Sequence, residues 1–266
     1  MIVFKTQEEF NKMKEAGLLL GSAFDFIKTK IEPGVSTRKL NNMFEKFVES
    51  HGGIMAEKGY EGFPGSICTS VNEVLIHGIP SNKVILKEGD IISIDVVVEK
   101  NGYMADACRT YGVGQISERA QKLIDCAEEA FYLAYSRAKV GNHILDCSSA
   151  ISETAKKYGF STIKSYGGHG IGRDMHEDPF VPNYANEPGY ENYWFNPRIR
   201  EGMAFCVEPM ILEGSDKTAD MDDGWGVVAA DGKLTAHYEN TMIIESDGAH
   251  ITTIDSNVKG HLHVER

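Results

Sequence analysis

The chain has 266 residues, 42% hydrophobic and 25% charged, enough to bury a substantial core as one large domain or two small ones. Its net charge of −12 argues against sustained binding to nucleic acid or anionic lipid, because both need clustered Lys and Arg. No apolar run approaches the roughly 20 residues that span a bilayer, and the amphipathic N-terminus lacks the apolar core and cleavage site of a signal peptide.

Apolar residues from Glu8 to Ile27 recur at three- and four-residue steps (Phe10, Met13, Ala16, Leu20, Phe24, Ile27), which predicts a helix with one buried face. Pro33-Gly34 breaks the chain, and Ser36 stands at the N-cap of a second helix carrying Leu40, Phe44 and Phe47 and ending near Gly52. Strands are expected at Ile91–Val98 and Tyr103–Val113, joined by Asn101-Gly102, the dipeptide of a type I′ turn. A second helix pair runs from about Glu118 to Ala138 and on to Gly159, with later strands at Ala204–Leu212, Trp225–Ala229 and Leu234–Glu245. Gly34 and Gly141 are 107 residues apart, as are Gly52 and Gly159, which suggests a duplicated α+β unit. Cys68, Cys108, Cys126, Cys147 and Cys206 are odd in number with no CxxC pairing. They read as reduced, mostly buried thiols of a cytosolic protein, not a disulfide framework or a thiolate zinc site.

Asp95 is a carboxylate in the middle of an apolar strand, and burying it unpaired would cost several kcal/mol. A two-residue turn at Asn101-Gly102 pairs Lys100 with Tyr103, which puts Asp95 opposite Cys108 and Asp106 opposite Val97. The two aspartates then share a face as diagonal neighbours. Such a pair shares a proton, binds a cation, or pairs separately with a base such as Arg109. In SYGGHGIGRDMHEDP, glycines flank His169 and give its imidazole open access from a flexible or tight backbone. His176 follows beside Glu177 and Asp178. Glu208 in AFCVEPM is another acid inside an apolar strand, held extended by Pro209, and Glu239 in AHYENTMII stands where a polar approach becomes a strand. Four carboxylates, one imidazole and no thiolate suit two divalent ions of the Mn, Fe or Co kind better than a structural zinc.

The strings VNEVLIHGIP, IDVVVEKNGYMADACRTY, GGHGIGRDMHEDP, FCVEPM and HYENT resemble type I methionine aminopeptidases in order and spacing, from about Phe4 to Ile251. The resemblance implies the pseudo-two-fold pita-bread α+β fold, an antiparallel sheet covered by two helix pairs. It would form a single catalytic domain over 1–266 with halves of about 1–115 and 116–266. It also implies Asp95, Asp106, His169, Glu208 and Glu239 as ligands of two divalent ions, Co, Mn or Fe ahead of Zn or Ni. By the same matching, His77 contacts the nitrogen side of the scissile peptide, and His176 steadies the carbonyl oxygen and the tetrahedral intermediate. Glu208 handles the proton of the attacking water. His77 taken alone reads as a turn residue ahead of Pro80.

Tyr60, Phe63, Cys68, Met175 and Trp225 would line the pocket for the methionine side chain, where aromatic and sulfur groups pack well on a thioether. Phe63 stands where tyrosine is frequent and Met175 where an aromatic is frequent. Val97 and Ala107 replace threonines often seen beside the aspartates, and Tyr190 to Pro197 is longer than usual at the rim of the cleft. The implied enzyme is a cytoplasmic monomer acting on nascent polypeptide N-termini with small second residues. The ribosome is a candidate partner, and neither membrane nor direct nucleic-acid binding is expected. The alternatives are an Xaa-Pro aminopeptidase or prolidase, a creatinase-like hydrolase without metal, and a non-catalytic binding protein on the same fold.

Overall fold

The computed structural model describes residues 1–185 and 195–256. Helix α1 (Gln7–Lys28) starts at a capping box: the Thr6 side chain accepts from the Glu9 backbone N–H while the Glu9 carboxylate accepts from that of Thr6. Ser36 caps α2 (Thr37–Ser50) in the same position. These helices lay Leu20, Phe24, Ile27, Leu40 and Phe44 against Ile92, Ile94, Val96 and Val98 of the Ile91–Lys100 strand, with Ala105 and Ala107 from its neighbour. Truncating a fully buried phenylalanine such as Phe44 to alanine would cost about 3–5 kcal/mol. Helices α3 (Glu118–Arg137) and α4 (Ile144–Tyr158) cover Phe205, Val207, Met242 and Ile244 in the same way.

Among the described residues the main sheet has nine strands. Seven run in the order Ile54–Met55, Ile91–Lys100, Tyr103–Gly112, Glu239–Glu245, Ala204–Val207, Gly167–Gly170, Glu177–Pro182; Cys68–Val71 also pairs with Ile91–Lys100 and Gly248–Ile251 with Glu239–Glu245, and every pairing is antiparallel. The Asn101-Gly102 turn has φ of +55° and +78°, as a type I′ turn requires, and the register is the one its two-residue length dictates. Lys100 pairs with Tyr103, Asp95 with Cys108 and Val97 with Asp106. Two helix pairs on an antiparallel sheet is the α+β arrangement the resemblance implies. The glycines of both spaced pairs have positive φ: Gly34 and Gly141 at +91° and +96°, Gly52 and Gly159 at +75° and +74°.

Two sequence readings need correction. The single strand expected at Ala204–Leu212 is two, Ala204–Val207 in the main sheet and Met210–Leu212 in a three-stranded one, broken at Glu208-Pro209. Pro209 has no N–H to continue a ladder, so the chain turns from one sheet into the other there. The strand expected at Leu234–Glu245 breaks likewise into Thr235–His237 and Glu239–Glu245. The halves pair with one another on both sides of the breaks, so the two segments cross between sheets together. Of the flexible and tight backbones that the glycines around His169 allowed, the tight one holds, as a strand over Gly167–Gly170. Its glycines serve close approach: a Cβ at Gly168 would meet the Cys206 carbonyl oxygen at 2.2 Å, and one at Gly170 the Asp178 carbonyl oxygen at 2.0 Å. Of the 190–197 segment, 190–194 lie outside the described residues. Asn196 and Pro197 accept from the Leu145 and Ile144 backbone N–H groups at the start of α4.

Candidate metal centre

Strand alternation decides which side chains face the helices and which face away. With Ile92, Ile94, Val96 and Val98 turned to α1 and α2, Asp95 points to the other face. The register then carries one row of residues across four strands: Cys68 opposite Asp95, Asp95 opposite Cys108, Cys108 opposite Glu239. Asp106 joins this face from the position diagonal to Asp95. Glu208 and Glu239 arrive from the two sites where paired strands change sheets, which turns both carboxylates toward the row.

The five residues expected to bind metal converge. His169 Nε2 lies 3.5 Å from Asp106 Oδ2 and 3.8 Å from Glu208 Oε1. Ligand atoms of Asp106, His169 and Glu239 lie within 4.8 Å of one another, as do those of Glu208, His237 and Glu239. The His169 Nδ1–H donates to the Gly170 carbonyl at 2.9 Å, which leaves Nε2 aimed at the acids, the orientation of a ligating imidazole.

Electrostatics test whether this set suits a cation. Burial, with Asp106 and Glu208 adding repulsion, pushes the Asp95 carboxyl well above the usual range. Glu239 is raised in the same way by burial and then by Asp106, Glu208 and Asp95, and burial raises Glu208 to about 7. Burial works against charge on His169, yet its hydrogen bond to Asp106 and the charge of Glu208 prevail and lift it to about 9. Asp95 Oδ1, Asp106 Oδ1 and Glu239 Oε1 are buried without a hydrogen-bond partner. No Lys or Arg is among the described residues lining the cavity. Arg109 does not neutralise the pair: its guanidinium is engaged by Asp255, Asn240 and the backbone carbonyls of Cys108 and Thr253. Orphaned carboxyl oxygens with no Lys or Arg in the described lining fit divalent metal, and an oxygen-rich set with one imidazole fits ions of the Mn, Fe or Co kind.

The acids open into a cavity of about 800 Å³. His77 and His176 line it from opposite strings of the sequence. His77 adopts φ +59°, a strained conformation for a non-glycine residue, with its ring edge-on to Tyr166 at 5.9 Å. Burial lowers its pKa. Burial and then the neighbouring His169 lower His176 to about 4, so its imidazole is neutral at physiological pH, and Nδ1 lies 3.2 Å from the Tyr60 hydroxyl. Tyr60, Phe63, Cys68, Met175 and Trp225 line the same cavity, with Phe63 edge-on to Trp225 at 5.1 Å.

Among the lining residues that sequence reasoning missed are Glu57, Tyr166 and His237. His237 Nε2 is buried without a partner, 3.8 Å from Glu208 Oε2 and 3.9 Å from Glu239 Oε2. Burial and then His77 hold its pKa down to about 3. Its place two residues before Glu239, within the strand expected at Leu234–Glu245, was the available signal, since that spacing shares a face on a single strand.

Residues 11–246 match metallopeptidase family M24. The chain is 45% identical over 254 residues to a methionine aminopeptidase of Clostridium perfringens, covering 96% of this chain and 99% of that one. It is 43% identical to methionine aminopeptidase 1 of Bacillus subtilis, over 95% of this chain and 99% of that one. Among solved structures, the methionine aminopeptidase of Thermotoga maritima superposes with a TM-score of 0.90 at 37% identity, covering 96% of this chain and all of that one.

Proposed function

The chain belongs to metallopeptidase family M24, and from that premise we propose how its residues remove N-terminal methionine. It has the pita-bread fold of that family and acts as a metalloexopeptidase on the N-termini of nascent chains. Asp95, Asp106, His169, Glu208 and Glu239 hold two divalent ions, Co, Mn or Fe ahead of Zn or Ni. The observation that carries this reading is the set of orphaned carboxylate oxygens in a cavity whose described lining has no Lys or Arg.

Bound divalent ions would supply the Lewis acidity that polarises a carbonyl and lowers the pKa of a water. The chain's own groups do the rest. Tyr60, Phe63, Cys68, Met175 and Trp225 take up the methionine side chain and exclude water from it. Glu208, flanked by His169 and His237, accepts the proton of the attacking water and returns it to the departing amine. His77 contacts the scissile nitrogen from its strained turn. His176, its Nδ1 tied to Tyr60, offers Nε2 to the carbonyl oxygen as negative charge develops there.

The whole chain forms one catalytic domain that works as a cytoplasmic monomer beside the ribosome. Among the described residues, no helix is long and apolar enough to cross a membrane. A second-residue series tests the reading: Met-Gly, Met-Ala and Met-Ser peptides are cleaved well, and Met-Leu and Met-Lys poorly. Equal cleavage across the series would contradict it.

A further inference from the structure

Glu57 is a buried acid of the cavity that neither the cross-strand row nor the proposed mechanism uses. It lies just past the Ile54–Met55 strand, ahead of the turn Tyr60–Gly62, and only 8% of it is exposed. Its Oε1 accepts from the Cys68 thiol at 3.7 Å, and its Oε2 is buried with no partner. Cys68, Tyr60 and Phe63, the groups proposed to hold the methionine side chain, line the same cavity. A side-chain pocket for a thioether therefore has an unsatisfied carboxyl oxygen in its wall. Methionine cannot answer it, because its sulfur is only a weak acceptor and brings no donor.

We infer that Glu57 reads the end of the N-terminal side chain and extends the substrates to peptides that begin with glutamine. This rests on the catalytic reading above. The glutamine side chain is close to methionine's in length. Its amide carries a donor and an acceptor, so it can pair with Glu57 as a carboxylate or as a protonated acid. Asparagine is one methylene shorter. The reaction is the same hydrolysis: the peptide C–N bond breaks, the hydroxyl of one water goes to the carbonyl carbon and its proton to the leaving amine, and free glutamine is released.

The test uses the full chain loaded with Mn²⁺ and freshly deprotected Gln-Ala-Ser, Met-Ala-Ser and norleucine-Ala-Ser. These are assayed with the wild type, Glu57→Leu and Glu57→Gln, and bound metal is measured for each. The wild type releases glutamine. Glu57→Leu lowers the glutamine-to-norleucine ratio of kcat/KM by about ten-fold or more, the cost of a lost buried hydrogen bond. Glu57→Gln, which keeps a donor and an acceptor, holds that ratio within about three-fold of the wild type. The inference is overturned if the wild type releases methionine but no glutamine, or if the ratio is unchanged in Glu57→Leu. Loss of one metal equivalent in Glu57→Leu would overturn it too, by making Glu57 a ligand. Absence of methionine release from folded, loaded wild type would instead overturn the catalytic reading beneath it.

Discussion

Replacing Gly168 by alanine tests why glycines surround His169. The added Cβ would stand 2.2 Å from the Cys206 carbonyl oxygen, while ordinary contact begins at 3.4 Å. The obstacle is the backbone of the next strand, which cannot swing aside as a side chain would. The Gly167–Gly170 and Ala204–Val207 strands must therefore part by about 1 Å, and His169 moves with the first of them. Overpacking of this kind costs about 1–3 kcal/mol, or roughly 3–10 °C in a chain of this size. A shift of about 1 Å in a catalytic group can cost roughly 100-fold in rate. The assay is kcat/KM for methionine release at saturating metal, with bound metal and a thermal melt on the same sample. Activity within about three-fold of wild type and an unchanged melt would refute the close-packing account and favour a flexible backbone there.

Other perturbations separate the roles of the cavity residues. Asp106→Asn keeps the fold but removes a charged ligand, so methionine release falls by about 1000-fold or more with an unchanged circular dichroism spectrum; near-wild-type turnover would rule out the two-ion site. His77→Ala lowers kcat by about 100-fold while metal content stays constant, and loss of metal instead would assign His77 to the metal site. The metal-free protein is destabilised by base. Glu208 at about 7 and His169 at about 9 are raised above their unfolded values, so the stability they confer is present at lower pH and lost as pH rises through those values. The depressed histidines His77, His176 and His237 are nearly all neutral in both states above about pH 7 and oppose this little. Chelator-stripped protein should lose about 2 kcal/mol between about pH 7 and 8.5, and a melting temperature that stays flat or rises would contradict the charge assignment.

The hairpin was legible because Asn101-Gly102 sets the register, and a known register places Asp95 and Asp106 on one face. The helix cap at Ser36 follows from local chemistry in the same way. The breaks at Glu208-Pro209 and Tyr238 were not legible as sheet changes. Hydrophobic pattern marks a strand but does not say which sheet it joins, and the Glu208-Pro209 break interrupts an otherwise apolar run. Those breaks are what aim Glu208 and Glu239 at the aspartates. The strand at His169 was hidden because glycine lowers strand propensity, and the close contacts that require glycine come from strands distant in sequence. Glu57, beside Lys58 and Gly59, has the composition of an exposed turn, and only the tertiary structure shows it buried against Cys68.

The most direct test of the central claim is release of free methionine from Met-Ala-Ser by chelator-stripped protein, before and after adding Mn²⁺, Co²⁺ or anaerobic Fe²⁺. The account predicts no release without metal, restored release with it, and none from Leu-Ala-Ser or Met-Pro-Ser. Release undiminished by chelation, or none with any metal from protein shown to be folded, would contradict it.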